Sequence, residues 1–235
     1  MKTRVVSGAG SCLALSFCCL LLLGCGGGGG GGNGDEDCEV MPASIEVDTT
    51  LPAGCYLAEQ DVYVSEAAVL TLEPGGEIIF SQDKTLYVSD EAALSAAGTA
   101  DDPILFTGAQ ESRGFWGGIV FTNANSVDNR FEHVTVEYAG SHEVESGISA
   151  AVALDSSGYP VQLAMSRTTL RENEGYGLYL SDEAALPGFS DNIITANTDG
   201  AVYLYAEVGG QLDDTTSYTG NDQDIVDVEC AYGLE

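Results

Sequence analysis

Asn173-Glu-Gly-Tyr-Gly-Leu178-Tyr179-Leu180, Asn197-Thr-Asp-Gly-Ala-Val202-Tyr203-Leu204 and Asn221-Asp-Gln-Asp-Ile-Val226-Asp227-Val228 follow one another at intervals of 24 residues. Nearer the N-terminus, Val62-Tyr63-Val64 returns 24 residues later as Leu86-Tyr87-Val88. Val64-Ser-Glu-Ala-Ala-Val-Leu70 is echoed by Val88-Ser-Asp-Glu-Ala-Ala-Leu94 and again by Leu180-Ser-Asp-Glu-Ala-Ala-Leu186. A period in the twenties, with short alternating runs and small or polar residues between them, is what one coil of a β-solenoid requires. Helical repeats are longer and need apolar residues three and four apart, a pattern missing here.

In each triplet the two-residue side-chain period sends the flanking Val or Leu inward and the central Tyr outward. The predicted outward column is Tyr63, Tyr87, Val120, Ala153, Tyr179, Tyr203 and Asp227. Its steps from 87 to 120 and from 120 to 153 exceed the period, which places inserted loops near Ala109 to Phe115 and near Ser141 to Ser146. Asn173, Asn197 and Asn221 are expected to stack as a structural ladder at a tight corner. Asn tolerates a left-handed backbone, and its amide can bond the next coil.

Four further strings extend the pattern: Leu70-Thr-Leu-Glu-Pro-Gly-Gly-Glu-Ile-Ile-Phe80, Asp102-Pro-Ile-Leu-Phe-Thr107, Phe115-Trp-Gly-Gly-Ile119 and Phe131-Glu-His-Val-Thr-Val-Glu-Tyr-Ala139. With the repeats they make residues 62–230 similar to right-handed parallel β-helix lipoproteins of pectin-lyase-like fold. The resemblance implies an all-β solenoid of about seven coils. It says little about activity, because one scaffold hosts lyases, hydrolases, adhesins and proteins without catalysis.

The N-terminus reads as an export signal: Lys2 and Arg4, an uncharged run from Leu13 to Leu23, then Leu22-Leu23-Gly24-Cys25. That ending resembles the lipobox of bacterial lipoproteins, which implies cleavage before Cys25 and acylation of its thiol; the alternative is an ordinary secretory signal with a chance cysteine. The apolar run is too short to span a bilayer. Gly26 stands where an aspartate marks inner-membrane retention in many such lipoproteins, so the expected location is the outer membrane or cell surface. Seven glycines, Gly26 to Gly32, then Asn33, Gly34 and Asp35-Glu36-Asp37 read as a flexible tether. The expected organisation is signal peptide 1–24, lipidated cysteine and linker 25–37, N-terminal cap 38–61 and β-helix 62–235.

All 37 acidic residues follow the signal but only five of the seven basic ones do, leaving a formal charge of −32 on the exported chain. Nucleic acid and anionic lipid surfaces are therefore poor partners, since both need the opposite sign. Outside the signal and the lipid site the cysteines are Cys38, Cys55 and Cys230. Export favours a disulfide. Cys38 and Cys55 are close in sequence, so they are the expected pair, with Cys230 unpaired.

Chemistry is sparse. The resemblance implies that a lyase would hold uronates with basic residues, and the close pair Arg167 and Arg171, expected on one strand face, offers this geometry. A hydrolase would need clustered carboxylates, one with a raised pKa; Asp101-Asp102 and Asp213-Asp214 are adjacent pairs, which strands point to opposite faces. His133, expected in a strand wall, and His142, in an inserted loop, form no zinc pattern. No catalytic triad, phosphate loop or dinucleotide fingerprint is present. Trp116 is expected to pack beneath a loop.

Two outward features are candidate binding sites. Stacked pairs Tyr63 with Tyr87 and Tyr179 with Tyr203 would offer aromatic surfaces to sugar rings. Glu66, Asp90 and Glu91, in the turn after the Tyr strand, would align carboxylates one strand spacing apart and suit calcium, which takes hard oxygen ligands; no other cofactor is expected. The sequence therefore points to a non-catalytic surface-anchored binding or structural module contacting glycan, a surface protein or divalent cations. The alternative is a polysaccharide-active hydrolase or lyase.

Overall fold

The computed structural model describes residues 38–229, so the signal, Cys25, the tether and Cys230 lie outside the described residues. Stacked coils produce three large parallel sheets and a short parallel pair, Val161–Gln162 with Ala184–Ala185. Sheet I has seven strands, from Glu39–Val40 to Ile193–Thr195. Sheet II runs from Ser44–Ile45 through Val62–Val64, Thr85–Val88, Gly118–Thr122, Ile148–Asp155, Tyr176–Leu180 and Gly200–Tyr205 to Val226–Glu229. Sheet III has five strands, from Thr49–Leu51 to Ala164–Ser166. Successive strands of one sheet come from successive coils, which defines a right-handed parallel β-helix. Residues 38–61 are part of it: their strands pair in parallel with Gly54–Ala58, Val62–Val64 and Val69–Leu72, so the predicted cap is itself the first coil.

The core follows from the alternation. In sheet II the inward column Ile45, Val64, Val88, Phe121, Leu154, Leu180 and Leu204 is in register and buried throughout. Sheet I contributes Tyr56, Ile78, Phe106, Val136, Leu170 and Ile194. Each such side chain withdrawn from water contributes roughly 1.5–3 kcal/mol. Trp116 belongs to this core: its ring stacks on Phe80 at 4.0 Å and its Nε1 donates to the carbonyl of Glu137 at 2.8 Å. Cys38 and Cys55 are joined as a disulfide, Cα to Cα 4.7 Å, within the first coil and the strand that stacks on it.

Buried polar ladders fix the corners. Asn173 Nδ2 donates to Asn197 Oδ1, and Asn197 Nδ2 to Asn221 Oδ1, each at 2.9 Å. The left-handed residue at this corner is not the asparagine but its predecessor: Tyr138, Glu172, Ala196 and Gly220 all have φ between 53° and 85°. The asparagine thus caps a turn made by the residue before it. A second ladder, Thr168, Asn192 and Thr216, stabilises the corner from sheet III to sheet I, with Asn192 Oδ1 accepting from the Thr168 amide at 3.0 Å and the Asn192 amide donating to Thr216 Oγ1 at 3.1 Å.

Candidate functional site

Two outer faces carry the candidate chemistry. On sheet II the outward column runs in register from Tyr63 through Tyr87, Val120, Ala153, Tyr179 and Tyr203 to Asp227. Tyr63 and Tyr87 stack with centroids 5.0 Å apart and planes 12° from parallel, and the edge of His142 meets Tyr87 at 5.8 Å. Tyr63 is 46% exposed. Its neighbour on the other side is Ser44, too small to cover the ring, so one aromatic face meets solvent.

Further along the column the aromatic surface is closed. The inserted segment after Val134–Glu137 folds back as Glu143–Glu145, antiparallel to Ile148–Asp155. Val144 and Ile148 pack on an outer cluster of Val120, Ala150, Ala153, Tyr176 and Tyr179. Tyr179 is left 4% exposed. It still stacks on Tyr203 at 5.8 Å, but the expectation of a second sugar platform at Tyr179 and Tyr203 is overturned. The stack there serves as a small second core.

The tyrosine hydroxyls under this strap are held by carboxylates. Glu145 accepts from Tyr179 and from Tyr205 at 3.3 Å, Glu229 accepts from Tyr203 at 3.2 Å, and Asp227 accepts from Tyr176. Burial and the adjoining Glu145 raise the pKa of Tyr179, and burial with the Asp227 hydrogen bond raises that of Tyr176. Burial and Glu229 push Tyr203 up to about 12. These phenols are therefore neutral hydrogen-bond donors at any physiological pH, not nucleophiles or bases.

The outer face of sheet I carries a groove of about 460 Å³. Its floor is Ile79 and Leu105 with Thr107, its roof the first inserted loop at Ala109 and Glu111, and its end wall Glu137 and Tyr138. Arg113 clamps the loop to Glu172 at 3.0 Å and Asp222 at 2.9 Å, and the Gly114 amide donates to the Ala139 carbonyl. Glu77 and Glu111 add carboxylates. Glu137, only 7% exposed, accepts from Thr107 Oγ1 at 3.2 Å and from Arg171 at 2.7 and 2.8 Å. Both of its oxygens are thereby engaged, Oε1 by Thr107 and Oε2 by Arg171. Sequence reasoning missed the groove, although it located the loop that roofs it.

Other predicted site residues do not assemble. Arg167 and Arg171 do not share a strand face: Arg167 is a left-handed corner residue, φ 49°, between strands of sheets III and I. It pairs with Glu132, while Arg171 pairs with Glu137. His133 is likewise a corner residue, φ 50°, rather than part of a strand wall. Glu66, Asp90 and Glu91 lie exposed in stacked turns, tied by the Ala67 amide donating to the Asp90 carbonyl. The next tier of that turn is Asn123, whose carbonyl accepts from the Glu91 amide. Among the described residues no three His, Cys, Asp or Glu side chains converge as a metal site. Asp101 and Asp102 are exposed in a turn. Asp213 is engaged by Thr215; burial acts to raise its pKa, but hydrogen bonds from Thr215 and Thr216 outweigh burial and hold it below the usual value.

A right-handed β-helix with these strings defines a class. The family model described as a pectate-lyase like beta helix domain matches residues 43–165, just over half of the 235-residue chain, and the chain belongs to that family. No curated protein and no solved structure matches it.

Proposed function

We propose that this chain is a bacterial lipoprotein, held at the outer membrane or cell surface through acylated Cys25, whose β-helix is a non-catalytic module binding a neutral glycan at the Tyr63–Tyr87 edge. The observation that carries the reading is the open ring face of Tyr63 beside Ser44, backed by a second stacked tyrosine. An exposed aromatic face takes the apolar face of a sugar with little entropic cost, because the stack already fixes the ring. The surplus of carboxylates disfavours uronates and supports a neutral ligand. Against catalysis stands the groove of sheet I, whose most buried carboxylate is occupied by Arg171 and Thr107.

The test is binding of the mature protein to an array of neutral and acidic glycans. Tyr63→Ala should weaken the best neutral ligand about tenfold, equivalent to ~1.4 kcal/mol, and Tyr179→Phe should leave it unchanged. Release of reducing ends or of unsaturated uronates from any glycan would replace this reading with the enzymatic one. For the anchor, Cys25→Ala should abolish incorporation of labelled palmitate; equal labelling of variant and wild type would remove lipidation at this residue.

A further inference from the structure

We propose that the sheet I groove beneath residues 109–111 is a docking pocket for a lysine side chain of a partner protein, a site separate from the tyrosine edge. The groove joins an aliphatic floor, Ile79 and Leu105, to carboxylates at its roof and end wall, Glu111 and Glu137, with Glu77 also lining it. Lysine has this composition inverted: four methylenes that shed water onto apolar surface and a compact ammonium that seeks carboxylates.

Charge complementarity selects a cation over a neutral group. The described ion pair beside the groove is Arg171 with Glu137, and Arg113 is committed to Glu172 and Asp222. Glu111 enters no ion pair among the described residues. Carboxylates therefore outnumber cations around the cavity in a chain that is already strongly acidic. Tyr138, at the end wall, registers the resulting field: burial raises its pKa, and Glu137 and Glu111 raise it further. A neutral sugar relieves none of this repulsion, whereas an ammonium does, and the Tyr138 ring adds an attractive face for it. Arginine fits less well, because its planar fork is made for bidentate pairing rather than for threading along an aliphatic floor. The roof is held by Arg113 and by the Gly114 amide, so the pocket exists before any ligand arrives.

The test uses the full chain in detergent with ¹³C-labelled Ile and Leu methyls, titrated with acetyl-Gly-Lys-Gly-amide at about 0.15 M salt, where surface charge is screened beyond ~8 Å. The methyls of Ile79 and Leu105 should shift saturably. Glu111→Gln, a change in an exposed loop, should weaken binding about tenfold through loss of a charge-assisted contact. Glu183→Gln, on a turn leaving sheet II, should have no effect, and Tyr63→Ala should leave lysine binding intact whether or not it removes glycan binding. Three results would overturn the proposal: silent methyls, an equal response to the norleucine peptide, or equal weakening by Glu183→Gln and Glu111→Gln. Binding of 1,5-diaminopentane as tight as the peptide would also reject a protein partner and leave a free diamine as the ligand.

Discussion

The asparagine ladder can be tested at its middle rung, where one side chain serves three coils. Asn197 Oδ1 accepts from the Asn173 amide at 3.2 Å and from Asn173 Nδ2 at 2.9 Å, while its Nδ2 donates to Asn221 Oδ1 at 2.9 Å and to the Leu170 carbonyl at 3.2 Å. Asn197→Ala removes all four and leaves the buried Asn173 amide without this acceptor. An orphaned buried donor costs ~1–3 kcal/mol and each further lost bond ~0.5–1.5 kcal/mol. The expected loss is about 3–5 kcal/mol, which lowers the melting midpoint of a domain this size by about 10 °C. Asn197→Asp separates donor from acceptor at almost constant volume. Its first oxygen keeps both bonds from Asn173, but its second faces two acceptors, Asn221 Oδ1 and the Leu170 carbonyl. Only a protonated carboxyl can donate there, so the folded-state pKa of this aspartate must rise above its unfolded value near ~3.9. Stability relative to wild type is then greatest below pH ~4 and is lost as pH rises toward the folded-state pKa, at up to ~1.4 kcal/mol per pH unit. Thermal melts of both variants and the wild type from pH 4 to pH 7 measure this directly. A fall of under ~2 °C for Asn197→Ala, or a pH-independent gap for Asn197→Asp, would refute the claim that the ladder carries stability through these bonds.

Reducing the Cys38–Cys55 disulfide, which spans 17 residues, should cost about 3 kcal/mol on the loop-closure model, read as a lower midpoint in dithiothreitol and faster amide exchange confined to the first coil. Absorbance titration at alkaline pH should show Tyr176, Tyr179 and Tyr203 resisting ionisation past their ordinary value of 10.0. Because folding raises these pKa values, the stability they contribute is complete below pH ~10 and is lost as pH climbs through that of Tyr203, so unfolding should accompany the late phenolate signal. Gly140→Ala should prevent folding or cost upwards of ~4 kcal/mol, since its φ is +110° and a Cβ would lie 2.0 Å from the Glu174 carbonyl oxygen; a folded variant with a near-wild-type midpoint contradicts this.

The coils were legible because stacking demands a period. Parallel register requires equivalent residues at equal intervals, so the column counted from Tyr63 to Asp227 is the one hydrogen-bonded across sheet II, even through two coils of irregular length. Alternation likewise separated inward Val and Leu from outward Tyr. What periodicity does not contain is the fate of an outward face. Tyr179 and Tyr63 occupy the same position in the repeat, yet one is sealed and the other open, because the strap that decides this belongs to an insertion. Its signal was present in miniature: Glu143-Val144-Glu145 alternates as a strand does, and Gly147 follows where a hairpin must turn. The second ladder was equally visible, since Thr168, Asn192 and Thr216 are spaced by the repeat. Arg167 and Arg171 misled because a strand was read through a corner, which a single left-handed residue supplies without glycine or proline to mark it.

Both insertions and the asparagine ladder occupy the same corner, between sheet I and sheet II, and they exclude one another there. Residues 109–117 and 138–147 fill it in the fourth and fifth coils, whereas Asn173, Asn197 and Asn221 fill it in the coils that follow. The ladder ends where the second insertion begins: Asn173 Oδ1 accepts from the amide of Ala139, which has no side-chain acceptor with which to continue the column. A short corner can be closed by stacked amides, each satisfying the coil beside it. A long one must be satisfied by what its loop packs against, and the two loops diverge, one roofing the groove on sheet I and the other covering the tyrosines on sheet II. The ladder coils therefore supply rigidity, while the two long coils determine which outer surfaces remain for a ligand. Binding should accordingly tolerate conservative changes among the ladder coils that preserve their hydrogen bonds, and respond sharply to changes in the loops or in the faces they flank.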